Sequence, residues 1–188
     1  RPQVGALSVT ESLTIENPSS KCYVGRAPRA DAEPITLELA IPSNFDRTTF
    51  HKEFFGRNFA IAGDRVVTSI PWTPGQREVT FTYTLPNHER CRLWQRPLDL
   101  PCEHLCLRVE HNDPAEVNCS LGRAAESRAG EIVFESQGTV LPAGHVLRVQ
   151  LGRLPMPWTL YAKWGALILL VALAGLAMMF VRPRNRRE

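Results

Sequence analysis

The feature that most restricts this chain is an uninterrupted apolar run near its C-terminal end. Gly165 to Val181 reads GALILLVALAGLAMMFV, seventeen residues without a single charge. As a helix at about 1.5 Å per residue the run is roughly 26 Å long. With Tyr161 and Trp164 it reaches the ~30 Å of a bilayer's hydrocarbon layer. Trp158, Tyr161 and Trp164 precede the run, where interfacial aromatics belong. Arg182, Arg184, Arg186 and Arg187 follow it, against Lys163 alone on the other side. The positive-inside rule then predicts a single-pass anchor spanning 158–181, with the tail 182–188 in the cytoplasm and residues 1–157 outside it. The competing reading, a buried core helix, gives no reason for aromatics on one flank and arginines on the other. Residues 165–181 contain no ionisable side chain, so no ion path or proton relay is expected within the segment. Leu154-Pro155-Met156-Pro157-Trp158 is not a sortase-type LPxTG motif, which argues against removal of the anchor after export.

Charge narrows the function classes. Of 22 basic and 19 acidic residues, four arginines and one glutamate lie in 182–188, which leaves 18 of each sign in 1–181. The pI of 8.7 therefore comes from the tail. A nucleic-acid surface needs concentrated basic charge, so no nucleic-acid partner is expected. With 44% hydrophobic and 22% charged residues, the chain has the composition of a folded domain and not of a disordered one. The sequence opens on Arg1-Pro2-Gln3 and carries no signal peptide. For an exported domain this predicts a mature chain from which a leader or longer upstream region has been removed.

Upstream of the anchor, apolar residues recur with a period of two, the signature of half-buried strands. Leu7, Val9, Leu13 and Ile15 precede a turn at Asn17-Pro18-Ser19-Ser20. Ile35, Leu37, Leu39 and Ile41 alternate up to Pro42. Phe59 and Ile61 lead through the hairpin dipeptide Gly63-Asp64 to Val66, Val67 and Ile70. Val79, Phe81, Tyr83 and Leu85 give the cleanest alternation, bounded by Pro74-Gly75 and Pro86-Asn87. Leu105, Leu107 and Val109 follow, then Val117 to Leu121, Ile132 to Phe134, and Leu147, Val149 and Leu151. Eight or nine short strands between Pro/Gly turns predict a mainly β, antiparallel, immunoglobulin-like β-sandwich over 1–157, followed by one C-terminal transmembrane helix. Residues 122–130 are expected as an exposed loop or one helical turn. A single domain over 1–157 is favoured over a division into two subdomains near Pro97-Leu98-Asp99.

The run from Ile70 to Pro86, IPWTPGQREVTFTYTLP, carries a proline-glycine turn followed by an FxYxLP strand. With Asn17-Pro18, Tyr23-Val24-Gly25, Leu141-Pro142-Ala143-Gly144 and Leu154-Pro155, it resembles membrane-anchored bacterial envelope proteins that carry carboxypeptidase-regulatory-like, immunoglobulin-type modules. The resemblance covers most of 1–157. It implies a β-sandwich on the outer face of a bacterial inner membrane, with no peptidase activity and no catalytic residues to carry over.

Residues that bear chemistry are few. Cys22, Cys91, Cys102, Cys106 and Cys119 make an odd count, and outside the cytoplasm disulfides are expected. Cys91, Cys102, Cys106 and Cys119 are close enough in sequence for one or two bridges. Alternation opposes a Cys106–Cys119 bond, because Cys106 points away from the face of Leu105 and Leu107 whereas Cys119 shares its face with Val117 and Leu121. Cys102, His104 and Cys106 would converge on one strand face as metal ligands. Their spacing is not that of a zinc ribbon or a c-type haem site, and no metal or other cofactor is expected. His51, His88, His111 and His145 read as surface residues. No GxSxG elbow or phosphate-binding glycine loop is present, so neither an enzyme nor a small-molecule substrate is indicated. Phe50 to Phe59, FHKEFFGRNF, mixes four phenylalanines with charges. It reads either as core strand or as a docking surface built on Phe54, Phe55 and Arg57. Trp72 and Trp94 attract the same pair of readings, with burial favoured.

A short joint at Gly152–Pro157, stiffened by Pro155 and Pro157, would hold the outer domain close to the bilayer. These features predict a non-catalytic accessory or structural subunit whose periplasmic domain docks on other membrane protein subunits, of respiratory, photosynthetic or transport type. The alternative is an envelope sensor or adhesion module recognising a peptide, glycan or surface protein. A metal or redox protein built on Cys102, His104 and Cys106 ranks behind both.

Overall fold

The computed structural model of the protein describes residues 1–27, 29, 31–51, 59–87, 91–111, 113–122, 126–128, 130–136, 138–155 and 158–181; for 126–128, 158–160 and 178–181 it describes the backbone alone. The chain forms two units, Arg1–Pro155 and Met156–Glu188. The first contains β1 (Pro2–Gln3), β2 (Ala6–Asn17), β3 (Leu37–Ala40), β4 (Arg47–His51), β5 (Ala60–Ala62), β6 (Arg65–Thr68), β7 (Gly75–Pro86), β8 (Arg92–Pro97), β9 (Cys106–Glu110), β10 (Val117–Cys119), β11 (Glu126–Arg128), β12 (Glu131–Glu135) and β13 (Val146–Leu151). The second contains the helix α1 (Trp158–Val181). The strands form antiparallel sheets with orders β1-β2-β7-β4, β10-β13-β8, β11-β12-β9 and β3-β6-β5.

The long β2–β7 ladder is the frame. It runs from Ala6 opposite Pro86 to Asn17 opposite Gly75. Side chains alternate between faces, so Leu7, Val9, Leu13 and Ile15 fall on the face of Val79, Phe81, Tyr83 and Leu85, each of which is at most 1% exposed. Burying aromatic and aliphatic side chains of this size contributes about 1.5–3 kcal/mol each. Phe50 on β4 completes the face, 6.3 Å from Phe81 and stacked at 5.2 Å on Phe59. The opposite face is hydroxyl-rich: Thr10 bonds Thr82 at 2.8 Å, Ser12 bonds Thr80 at 2.7 Å, and His51 bonds Thr82 at 2.8 Å.

Several expectations are modified by packing. Gly63 and Asp64 form the two-residue turn between β5 and β6, with Gly63 at φ +64°. Core contact comes from Val66 and Thr68, however, while Ile61 points outward. β3 starts only at Leu37, because Ile35 is engaged by Arg26 in a separate bridge. Residues 126–128 are a strand and not a loop or helical turn: Arg128 stands opposite Glu131, and Gly130 at φ +86° reverses the chain between them. No division occurs near 97–99. A single cluster of buried side chains runs from Leu7 to Leu154, including Trp72 and Trp94, and Arg96 and Asp99 tie β8 to β2 and β3.

α1 is twenty-four residues long. Its described side chains, 161–177, are all exposed, and Lys163 is the one charge among them. Among the described residues no helix is long and apolar enough to cross a membrane.

Candidate functional site

The most concentrated chemistry lies where the sheet of β8 faces the sheet of β2 and β7. Glu11 holds an inward position on β2, between Val9 and Leu13. Its carboxylate accepts Arg96 Nε–H at 2.7 Å on both oxygens and the Tyr83 hydroxyl at 3.0 Å. The Tyr83 oxygen in turn accepts Trp94 Nε1–H at 3.1 Å. Arg96 also donates to Asp99 Oδ2 at 2.8 Å and to the Pro97 carbonyl. Both Asp99 oxygens accept the Ala40 N–H at 3.1 Å. The side chains of Arg96, Glu11 and Asp99 are 5%, 11% and 13% exposed. One connected network therefore joins β2, β3, β7 and β8.

Its electrostatics follow from burial. Loss of water raises the Glu11 carboxyl above its ordinary 4.5, against the pull of Arg96 and Tyr83. Burial and the neighbouring Glu11 carboxylate together hold the Tyr83 hydroxyl firmly protonated, as its donor role requires. Burial works against the Arg96 cation, but Glu11 and Asp99 outweigh it and raise the guanidinium above its usual value. Every charge here has a partner inside the fold, which suits it to fixing how the sheets meet.

Beside this network lies an open cleft of about 360 Å³, lined by Pro42, Asn44, Leu85 and residues 92–95 of β8. Among the described residues β8 pairs only with β13 and is an edge strand. Arg148 on β13 and Gly152 just past its end lie in phase with Gln150 and bond to the β10 side, through Ser120 N–H to the Arg148 carbonyl and Gly152 N–H to the Glu116 carbonyl. Leu147, Val149 and Leu151 therefore face β8, opposite Arg96, Trp94 and Arg92. The N–H and C=O groups of Leu93 and Gln95 consequently point to the free edge. Arg92 borders the cleft, half-buried, and donates to the Pro86 carbonyl.

The residues singled out in the sequence are not brought together. Cys22, Cys91 and Cys106 are exposed, Cys102 is half-buried, Cys119 is buried, and all five are free thiols in this structure. Cys106 on β9 and Cys119 on β10 belong to different sheets and differ in exposure, as their alternation predicts. Burial raises the thiols of Cys102 and Cys119, which lowers their thiolate fraction. The shared strand face required of Cys102, His104 and Cys106 does not form, because β9 begins at Cys106 and Cys102 donates to the His104 carbonyl at 3.2 Å. Among the described residues no group of three His, Cys, Asp or Glu could hold a metal ion. His111 is engaged on both ring nitrogens, by the Asp113 backbone and the Gly152 carbonyl at 2.8 Å. Phe54, Phe55, Arg57, His88, Arg182, Arg184, Arg186 and Arg187 lie outside the described residues, as does the side chain of Trp158; Tyr161 and Trp164 are exposed on α1.

Residue spacing alone does not announce the network, although one signal is present. Glu11 interrupts an otherwise apolar inward phase, Leu7-Val9-Glu11-Leu13-Ile15, and an acid in that position needs a buried partner. Arg96 gives the same signal on β8, two residues after Trp94.

No known protein family, curated protein or solved structure matches the chain.

Proposed function

We propose that this chain is a non-catalytic, single-pass accessory subunit of a bacterial inner-membrane complex. Its β unit is an immunoglobulin-like antiparallel sandwich outside the cytoplasm, and α1 with the following arginines is the anchor. The observation that carries the reading is the exposed apolar surface of α1: a helix that is apolar all round needs a covering of lipid or of other protein. The arginines at 182, 184, 186 and 187 give that helix a membrane orientation. The absence of a catalytic role is supported by the way Glu11, Tyr83, Arg96 and Asp99 are consumed in holding sheets together. The test is extraction of the native membrane in mild detergent, native-gel separation, and mass spectrometry of the band containing this chain. Migration with stoichiometric membrane partners is expected, and a monodisperse monomer would refute the accessory role. A second reading, an envelope module that binds a peptide, draws on the open cleft beside the β8 edge. It predicts ligand binding without any membrane partner.

A further inference from the structure

We propose that the cleft beside β8 receives an extended, acidic segment of a partner polypeptide, which adds as a strand to Leu93 and Gln95 and sets a carboxylate against Arg92. The inference deepens the docking role and rests on it for the source of the segment.

The register leaves the backbone N–H and C=O groups of Leu93 and Gln95 at the free edge, with no partner among the described residues. Residues i and i+2 of a strand are about 6.8 Å apart, so these two positions match an added strand of three to four residues. Exposed edges of this kind are natural templates for strand addition. The slot is closed at one end. Pro97 has no N–H, its carbonyl takes the Arg96 guanidinium, and the next N–H, of Leu98, is bonded to the His145 carbonyl. It stays open along residues 92–95, which line it together with Pro42, Asn44 and the buried Leu85.

Charge sets the chemistry of the occupant. Among the described residues Arg92 is the one ionisable residue lining the cleft, and its described bond is to a neutral carbonyl. Among the described residues no carboxylate pairs with it. Its remaining guanidinium N–H groups favour a carboxylate brought in by the ligand. The backbone would supply affinity and the carboxylate would fix the register.

The test uses the full chain in mild detergent, panned with a phage-displayed library of linear twelve-residue peptides. Enriched peptides should carry Asp or Glu at one fixed position. Synthetic copies should bind Leu93→Pro at least tenfold more weakly, because proline removes an edge donor that no intramolecular bond uses. Arg92→Gln should bind without preference for the acid over its amide. Methylation of alternate backbone nitrogens in the best peptide should abolish binding to the natural chain, a readout that does not depend on the variant folding. Absence of enrichment, equal binding to a folded Leu93→Pro, or indifference to N-methylation would each overturn strand addition. A failure of the chain to co-migrate with membrane subunits would overturn the accessory role and leave peptide capture by the cleft standing.

Discussion

Replacing Arg96 by methionine tests whether the buried network acts as one coupled unit. The substitution keeps most of the side-chain volume but removes the donors to Glu11 at 2.7 Å and to Asp99 at 2.8 Å. Two carboxylates are then left at 11% and 13% exposure without their cation. Breaking a buried pair from one side costs about 3–5 kcal/mol. For a unit of this size that lowers the unfolding midpoint by roughly 6–20 °C. In Glu11→Met/Arg96→Met the uncompensated Glu11 charge is also gone. Asp99 still lacks its cation but keeps the Ala40 N–H, and the Tyr83 hydroxyl loses its acceptor, worth about 1–3 kcal/mol. The double variant should therefore be much less destabilised than the sum of its single variants. Urea unfolding of the full chain in detergent, followed by the fluorescence of buried Trp72 and Trp94, reads each free energy. A loss below 1 kcal/mol in Arg96→Met, or strict additivity in the double variant, would refute the coupling.

Glu11 also sets a pH dependence. Its folded carboxyl lies above the ordinary 4.5, so between those values the folded state keeps a proton that the unfolded chain has released. This contribution is complete below about pH 4.5 and is lost as pH rises through the folded value; pH-resolved urea midpoints should show that limb flattened in Glu11→Gln. Gly25 and Gly75 both have positive φ, but a Cβ at Gly25 would collide with the Ile35 carbonyl whereas Gly75 has open space. Gly75→Ala should cost about 1–2 kcal/mol for the left-handed backbone, and Gly25→Ala clearly more; equal thermal shifts would contradict the close approach of Gly25 to Ile35. Maleimide mass shifts should report fast reaction of Cys22, Cys91 and Cys106, slower reaction of Cys102, and reaction of Cys119 only on unfolding. Fewer than three fast thiols would show that a bridge forms in the native protein.

The period-two patterns determined that the region upstream of the apolar run would be antiparallel strands, and they assigned residues to faces with good fidelity along β2, β7, β12 and β13. That legibility has a local cause: a strand alternates its side chains, so the apolar phase must be the buried one. Chain order alone did not reveal which strands are neighbours, because alternation specifies faces and not partners. Nor did it locate β8, whose inward phase carries Arg96 and so breaks the apolar pattern by which strands are recognised. The β11 strand was hidden for a related reason, since Glu126-Ser127-Arg128 has no apolar residue to mark a face. Glu11 was readable as an anomaly, but its meaning depended on Arg96, eighty-five residues away, and on Tyr83 reaching the same carboxylate from β7. The sequence determined the apolar, arginine-flanked segment and the strand faces, since both follow from local composition and spacing. Only tertiary structure decided which buried charges are paired and which strand edge remains open, because both depend on segments brought together from distant parts of the chain.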